Sequence, residues 1–242
     1  ENRLSNDDNL TALSAIILDG IEAQGAGKKI VFSKDASHYA MPLYTRNISK
    51  GSTAIGFGSR LPLDSDKNTI RLFMHWKNLY DAGEDYDNYG TRVDLDLSAI
   101  FLDNNFDFIN DIAYYNVRVN DIGYHSGDIT SAPEGASEFI DIDIDKALDN
   151  GIRYVVPTVY NYTRQPIKDI PEAFTGFMMR DKVNNGEIFE PSTIQHSYDL
   201  NNGATNSTPY IIDLKNRELV WLDTALNPSP YRNYNVANNI DN

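Results

Sequence analysis

The chain contains no cysteine. That excludes disulfide bridges, thiolate metal ligands and a cysteine nucleophile, and it fits a reducing compartment. Long hydrophobic runs are missing too: no apolar stretch approaches the roughly 20 residues that a membrane span needs, and no secretory leader pattern is seen. Basic residues are scarce beside acidic ones, Lys+Arg 21 against Asp+Glu 35, for a formal net charge of -14. Such a surface repels a phosphate backbone, which disfavours nucleic-acid binding and suits a cation or a basic partner. The histidines His38, His75, His125 and His196 have no i, i+4 histidine partner and no HExxH spacing, which disfavours zinc catalysis. Lys50-Gly51-Ser52-Thr53 lacks the upstream glycine of a phosphate-binding loop and runs toward a strand. His125, Ser126 and Asp128 lie nearly adjacent, without a GxSxG elbow, and neighbours in sequence rarely converge on one substrate atom. A non-enzymatic protein is expected, with His125 ordering its own loop by hydrogen bonding.

What is present is β structure. In TIRLFMHWK, Ile70, Leu72, Met74 and Trp76 alternate with Arg71, Phe73, His75 and Lys77, the period of a strand. TAIGF, RVDLDLSAIFL, IAYYNVRV, EFIDIDI, IRYVVPTVYNY, FTGFMMR, EIF, IQHSYDL, YIIDL and ELVWLD continue the series, divided by turn clusters such as Asn104-Asn105 and Asn201-Asn202-Gly203. With 15 Tyr and 10 Phe, this predicts an all-β fold, a two-sheet antiparallel β-sandwich, with Trp76 and Trp221 in its core. Pro157 within a strand pattern predicts an edge or a bulge.

Ahead of the strands, Asn6, Asp7 and Asp8 can cap a helix whose Leu10, Leu13, Ile16, Ile17 and Ile21 recur at helical spacing until Gly25-Ala26-Gly27. The expected division is a helix and connector over 1–46, a β-sandwich over 47–226 and an extended or disordered arm over 227–242. Because the chain starts at Glu1 rather than Met, a processed product or part of a longer polypeptide is expected.

Carboxylates concentrate between Val93 and Asp145. Asp94 and Asp96 are two apart, hence on one face of their strand. Gly127-Asp128 follows, and Glu138 lies ten residues beyond Asp128. If strand ends bring these together, a hard cation is the natural way to neutralise them. An EF-hand register from Asp85 fails, because Tyr89 and Asp96 occupy the fifth and twelfth positions and strands flank the loop. Asp141, Asp143 and Asp145 alternate with Ile140, Ile142 and Ile144 and read as a solvated strand face.

VDLDLSAIFLD resembles the DLDAS segment of the TerD-like tellurium-resistance and stress-response family, and HSGDITSAPEGASEFIDIDI resembles its HxGDNxTGxGxGDDExIxIDL segment. TIRLFMHW, AYYNV, IRYVVPTVYNY, FTGFMMR and SYDL fit in order, so the resemblance spans about residues 47–226. It implies a β-sandwich that binds Ca²⁺ through loop acids, without catalytic chemistry, in the cytoplasm and often within larger protein assemblies. Carried over position by position, the implied metal-site residues are Asp94, Asp96, Asn116, Asp128 and Glu138. Two departures weaken that implication. Gly135-Ala136-Ser137-Glu138 replaces GDDE, and Asp128-Ile129-Thr130-Ser131-Ala132 replaces DNxTG, so the site has fewer carboxylates and less charge for the ion. The alternative is a structural or interaction module that keeps the fold and has lost or weakened the ion. A carbohydrate-binding sandwich ranks below both, since its tryptophans are expected in the core.

Overall fold

The computed structural model describes residues 55–79, 92–181 and 194–226. Within them the chain forms twelve strands: β1 (Arg60–Pro62), β2 (Thr69–Trp76), β3 (Leu95–Leu102), β4 (Phe108–Ile112), β5 (Arg118–Val119), β6 (Gly123–His125), β7 (Ala136–Asp143), β8 (Tyr154–Asn161), β9 (Ala173–Arg180), β10 (Ile194–Asp199), β11 (Asn206–Asp213) and β12 (Glu218–Leu226). They make two six-stranded sheets, in the orders β1-β12-β11-β8-β3-β4 and β10-β9-β2-β7-β6-β5. Every pairing is antiparallel. The all-β, two-sheet expectation holds.

Alternation explains the core. Ile70, Leu72, Met74 and Trp76 of β2 and Ile140 and Ile142 of β7 join Leu95, Leu97, Ala99 and Phe101 of β3 in one buried cluster, with Trp221 of β12 at its margin. Each such side chain contributes roughly 1.5–3 kcal/mol when removed from water. The other face of β2 and β7 is buried as well. Phe73, Phe139 and Met178 pack together there. Beside them Arg71 donates through Nε and Nη2 to both oxygens of Asp141, at 2.5 and 2.7 Å. The guanidinium lies 5.2 Å from the Phe139 ring centroid.

That ion pair corrects the expectation of a solvated aspartate face, because Asp141 is only 1% exposed. Its neighbours leave the strand altogether. Asp143 caps a short helix, α1 (Ile144–Asp149), by accepting from Lys146 N at 3.1 Å, and Asp145 is exposed in its first turn. IAYYNVRV is also not one strand. Asn116 Nδ2 donates to the Asp111 carbonyl at 2.6 Å, and a bridge between Ala113 and Asn116 turns the chain at Tyr114-Tyr115. A polar side chain that bonds nearby backbone competes with a ladder. The described part of TAIGF turns instead of pairing: Ser59 N reaches Gly56 O, Gly58 has φ 79, and the strand starts at Arg60.

Pro157 sits in β8, between β3 and β11, rather than at an edge. On the β3 side it opposes Ala99 in unbroken register. On the β11 side the register shifts between Ser207 and Ile212, so the missing N–H meets a bulge. The helix at 1–26, the acidic loop at 81–90, EIF and the arm from 227 lie outside the described residues.

Candidate metal centre

β3 outruns its edge partner. β4 pairs with β3 only from Ala99 onward, so the backbone at Leu97 needs other partners on that side. Two buried side chains of the opposite sheet supply them. Glu138 Oε2 accepts from Leu97 N at 2.9 Å, and His125 Nε2 lies 3.1 Å from Leu97 O. Gly127 N donates to His125 Nδ1 at 3.0 Å, so the ring proton resides on Nε2 and is donated to Leu97 O. Glu138 Oε1 meanwhile accepts from Ile129 N at 3.0 Å. The pair fastens β3 to the loop after β6.

The residues just before β3 are fixed from three directions. Trp76 Nε1 donates to Val93 O at 2.9 Å. Asn78 Oδ1 accepts from both Val93 N and Ala132 N, each at 3.0 Å. The turn after β8 supplies the third: Tyr162 N donates to Asp94 O at 2.9 Å, and Asp94 N donates to Thr163 Oγ1 at 3.2 Å. Gln165 Nε2 adds a bond to Arg92 O at 2.9 Å.

These restraints gather Asp94, Asp96 and Asp128, each offering a carboxylate oxygen within 4.8 Å of the others. Asp94 and Asp96 are buried at 4% and 5% exposure, whereas Asp128 is exposed. Asp94 Oδ2 accepts from Arg92 Nη2 at 3.0 Å. Its Oδ1 is buried with no hydrogen-bond partner. Among the described residues no hydrogen bond reaches the Asp96 carboxylate. Burial pushes Asp94 up to about 6, with Arg92 opposing and the charges of Asp128 and Glu138 adding. Burial and then the neighbouring Asp94, Glu138 and Asp128 push Asp96 up to about 8. An all-oxygen set of crowded, poorly solvated carboxylates with an orphaned oxygen fits a hard divalent cation.

The five residues implied by the sequence therefore have three fates. Asp94, Asp96 and Asp128 meet. Glu138 lies close enough to act electrostatically on both buried aspartates, while its own oxygens hold the Leu97 and Ile129 amides. Asn116 donates its amide to Asn110 Oδ1 and the Asp111 carbonyl in the β4–β5 turn. Arg92, Tyr162 and Thr163 were not singled out by sequence reasoning. For Arg92 a signal existed: a cation two positions before Asp94 shares its strand face. No serine–histidine pair forms at the HSGD segment, where Ser126 Oγ accepts from Phe139 N at 2.9 Å and the His125 ring serves Gly127 and Leu97.

A homologue of the telluride resistance protein TerD from Streptomyces coelicolor superposes with a TM-score of 0.50 at 12% identity, covering 68% of this chain and 93% of its own. The chain has a TerD-like fold. A protein of unknown function also matches, with a TM-score of 0.47 at 15% identity over 66% of this chain and 92% of its own. No protein-family model matches, and no curated protein matches by sequence. The TerD-like likeness is thus one of backbone architecture, and the site rests on its own residues.

Proposed function

We propose that this TerD-like chain is a non-enzymatic, calcium-binding module. In this reading Asp94, Asp96 and Asp128 hold the ion, and Glu138 and His125 fix the strand that presents them. The observation that carries the reading is that Asp94 Oδ1 is buried with no hydrogen-bond partner, in a residue whose carboxylate lies within 4.8 Å of those of Asp96 and Asp128. A bound cation would neutralise charges that folding otherwise forces together and would stabilise the folded state by mass action. Calcium suits irregular oxygen sets better than magnesium, which demands near-octahedral geometry. The biological setting we propose is a cytoplasmic stress response of the tellurite- or phage-resistance type, acting through protein partners in a larger assembly. The solved neighbour's description as a telluride-resistance homologue supports that setting. No helix of the described residues is long and apolar enough to cross a membrane.

Thermal melting in millimolar Ca²⁺, in Mg²⁺ and in chelator tests the ion. The melting temperature should rise with Ca²⁺, and Asp128→Asn should reduce the rise. A melt indifferent to Ca²⁺ would reject it. The second reading, an interaction module without the ion, draws on Arg92, which already offers positive charge to Asp94. In that case Arg92→Gln would destabilise the chain equally with and without Ca²⁺.

A further inference from the structure

Arg92 already places a positive charge on the acidic triad, and its attachment there is slight. The guanidinium meets the cluster through one hydrogen bond, Nη2 to Asp94 Oδ2 at 3.0 Å. Arg71 does better elsewhere in the chain, where Nε and Nη2 fork onto both oxygens of Asp141. Arg92 Nε is instead buried with no acceptor, although the side chain as a whole is 31% exposed. A buried N–H without a partner costs stability, so the guanidinium is held weakly in this position. Asp94 keeps a second oxygen, Oδ1, that Arg92 does not reach.

The backbone around this pair is, by contrast, fixed. Asp94 N donates to Thr163 Oγ1, and that hydroxyl donates to Asn161 Oδ1 at 2.7 Å. Asn161 Nδ2 donates to Gln165 O at 2.7 Å, and Gln165 Nε2 returns to Arg92 O. The turn after β8 therefore closes a polar circuit on residues 92 and 94, with the buried Asn161 at its centre. Trp76 and Asn78 hold Val93 between them. What remains free to move is the Arg92 side chain, long, partly exposed and tied by a single bond. A guanidinium and a divalent ion on one carboxylate are like charges at close range, and each strengthens its hold only at the other's expense. With Asp94 clamped, that contest ends with the guanidinium leaving for solvent. We propose that Arg92 is a tethered competitor of the cation: it occupies Asp94 in the ion-free chain, is expelled when the ion binds, and by that exchange sets the affinity of the site. This inference rests on the calcium reading above. The exchange gives a buried carboxylate a counter-charge while the site is empty, and it lets the site fill only where the cation is concentrated enough to displace Arg92.

The test titrates the full chain with Ca²⁺ in a calorimeter and compares three variants with wild type. Arg92→Gln removes the competing charge and should lower the dissociation constant roughly tenfold or more. Arg92→Lys keeps the charge and should stay within about threefold of wild type. Lys215→Gln removes the same charge from an exposed position in the β11–β12 turn, at the far end of the sheet, where Asp213 opposes Tyr154 and Tyr154 opposes Leu102. It should leave the affinity unchanged. Melting curves add a second readout: Arg92→Gln should melt below wild type in chelator, and saturating Ca²⁺ should close or reverse that gap. An affinity that is unchanged or weaker in Arg92→Gln overturns the proposal and leaves the calcium reading intact. So does a gain of the same size in Arg92→Lys or in Lys215→Gln. Calcium binding seen in Arg92→Gln alone supports both readings, and its absence from every variant defeats both.

Discussion

Replacing Asp96 by asparagine should do two opposite things. The carboxylate is 5% exposed, and its pKa of about 8 in the folded chain contrasts with an ordinary value of 3.8. A carboxyl group whose folded pKa is raised is a destabilising group wherever the unfolded chain is ionised and the folded chain must hold the proton or bear the charge. At neutral pH a shift of that size corresponds to about 3–4 kcal/mol, as an order of magnitude. Asparagine keeps the shape and removes the charge, so the ion-free protein should become more stable, by up to that amount less the desolvation of one amide. The same substitution deletes a central ligand. In wild type, Ca²⁺ at about a hundred times its dissociation constant should add roughly 2.7 kcal/mol, or about 5–10 °C for a chain of this size. In Asp96→Asn that increment should shrink to near nothing. Thermal melts of both proteins, in chelator and in excess Ca²⁺ at neutral pH, read both effects. If the variant melts lower than wild type in chelator, or keeps the full calcium increment, the electrostatic account of the site is wrong.

Other consequences can be checked together. In chelator, wild-type stability should rise as pH falls from about 8 to about 5, because Asp96 and then Asp94 take up protons in the folded state well above 3.8. Saturating Ca²⁺ should flatten that trend, and pH-dependent melts would show it. Glu138→Ala should cost about 3–5 kcal/mol in urea unfolding, since it strands the amides of Leu97 and Ile129 in the interior; Glu138→Gln, which keeps one acceptor, should cost less. Asp141→Asn should cost about 3–5 kcal/mol by leaving the buried Arg71 guanidinium without its carboxylate. Arg71→Met combined with Asp141→Leu should be milder than the sum of the single changes, measured by the same unfolding.

The sheet architecture was legible because burial imposes a period of two on strands such as TIRLFMHW and LDLSAIFL. The acidic triad was legible for a simpler reason: Asp94 and Asp96 share a face wherever their strand goes, and Asp128 follows a glycine loop. What failed was any inference that needed a partner from a distant strand. Asp141 reads as a surface residue until Arg71 is known to oppose it in register. Glu138 gives no sign in the sequence that the free edge of β3 needs its carboxylate as an acceptor at Leu97. Asn116 reads as part of a strand, but its amide bonds the backbone five residues earlier and makes a turn. Pro157 showed that the ladder would be interrupted, though not that the interruption would lie in mid-sheet.

A structure determined from crystals grown with Ca²⁺, with anomalous scattering recorded to identify the ion, tests the central claim most directly. The account predicts one calcium bound by Asp94 Oδ1 together with oxygens of Asp96 and Asp128, at about 2.3–2.6 Å. Density with no ion at these three carboxylates, at a calcium concentration that saturates any shift in melting, would contradict it.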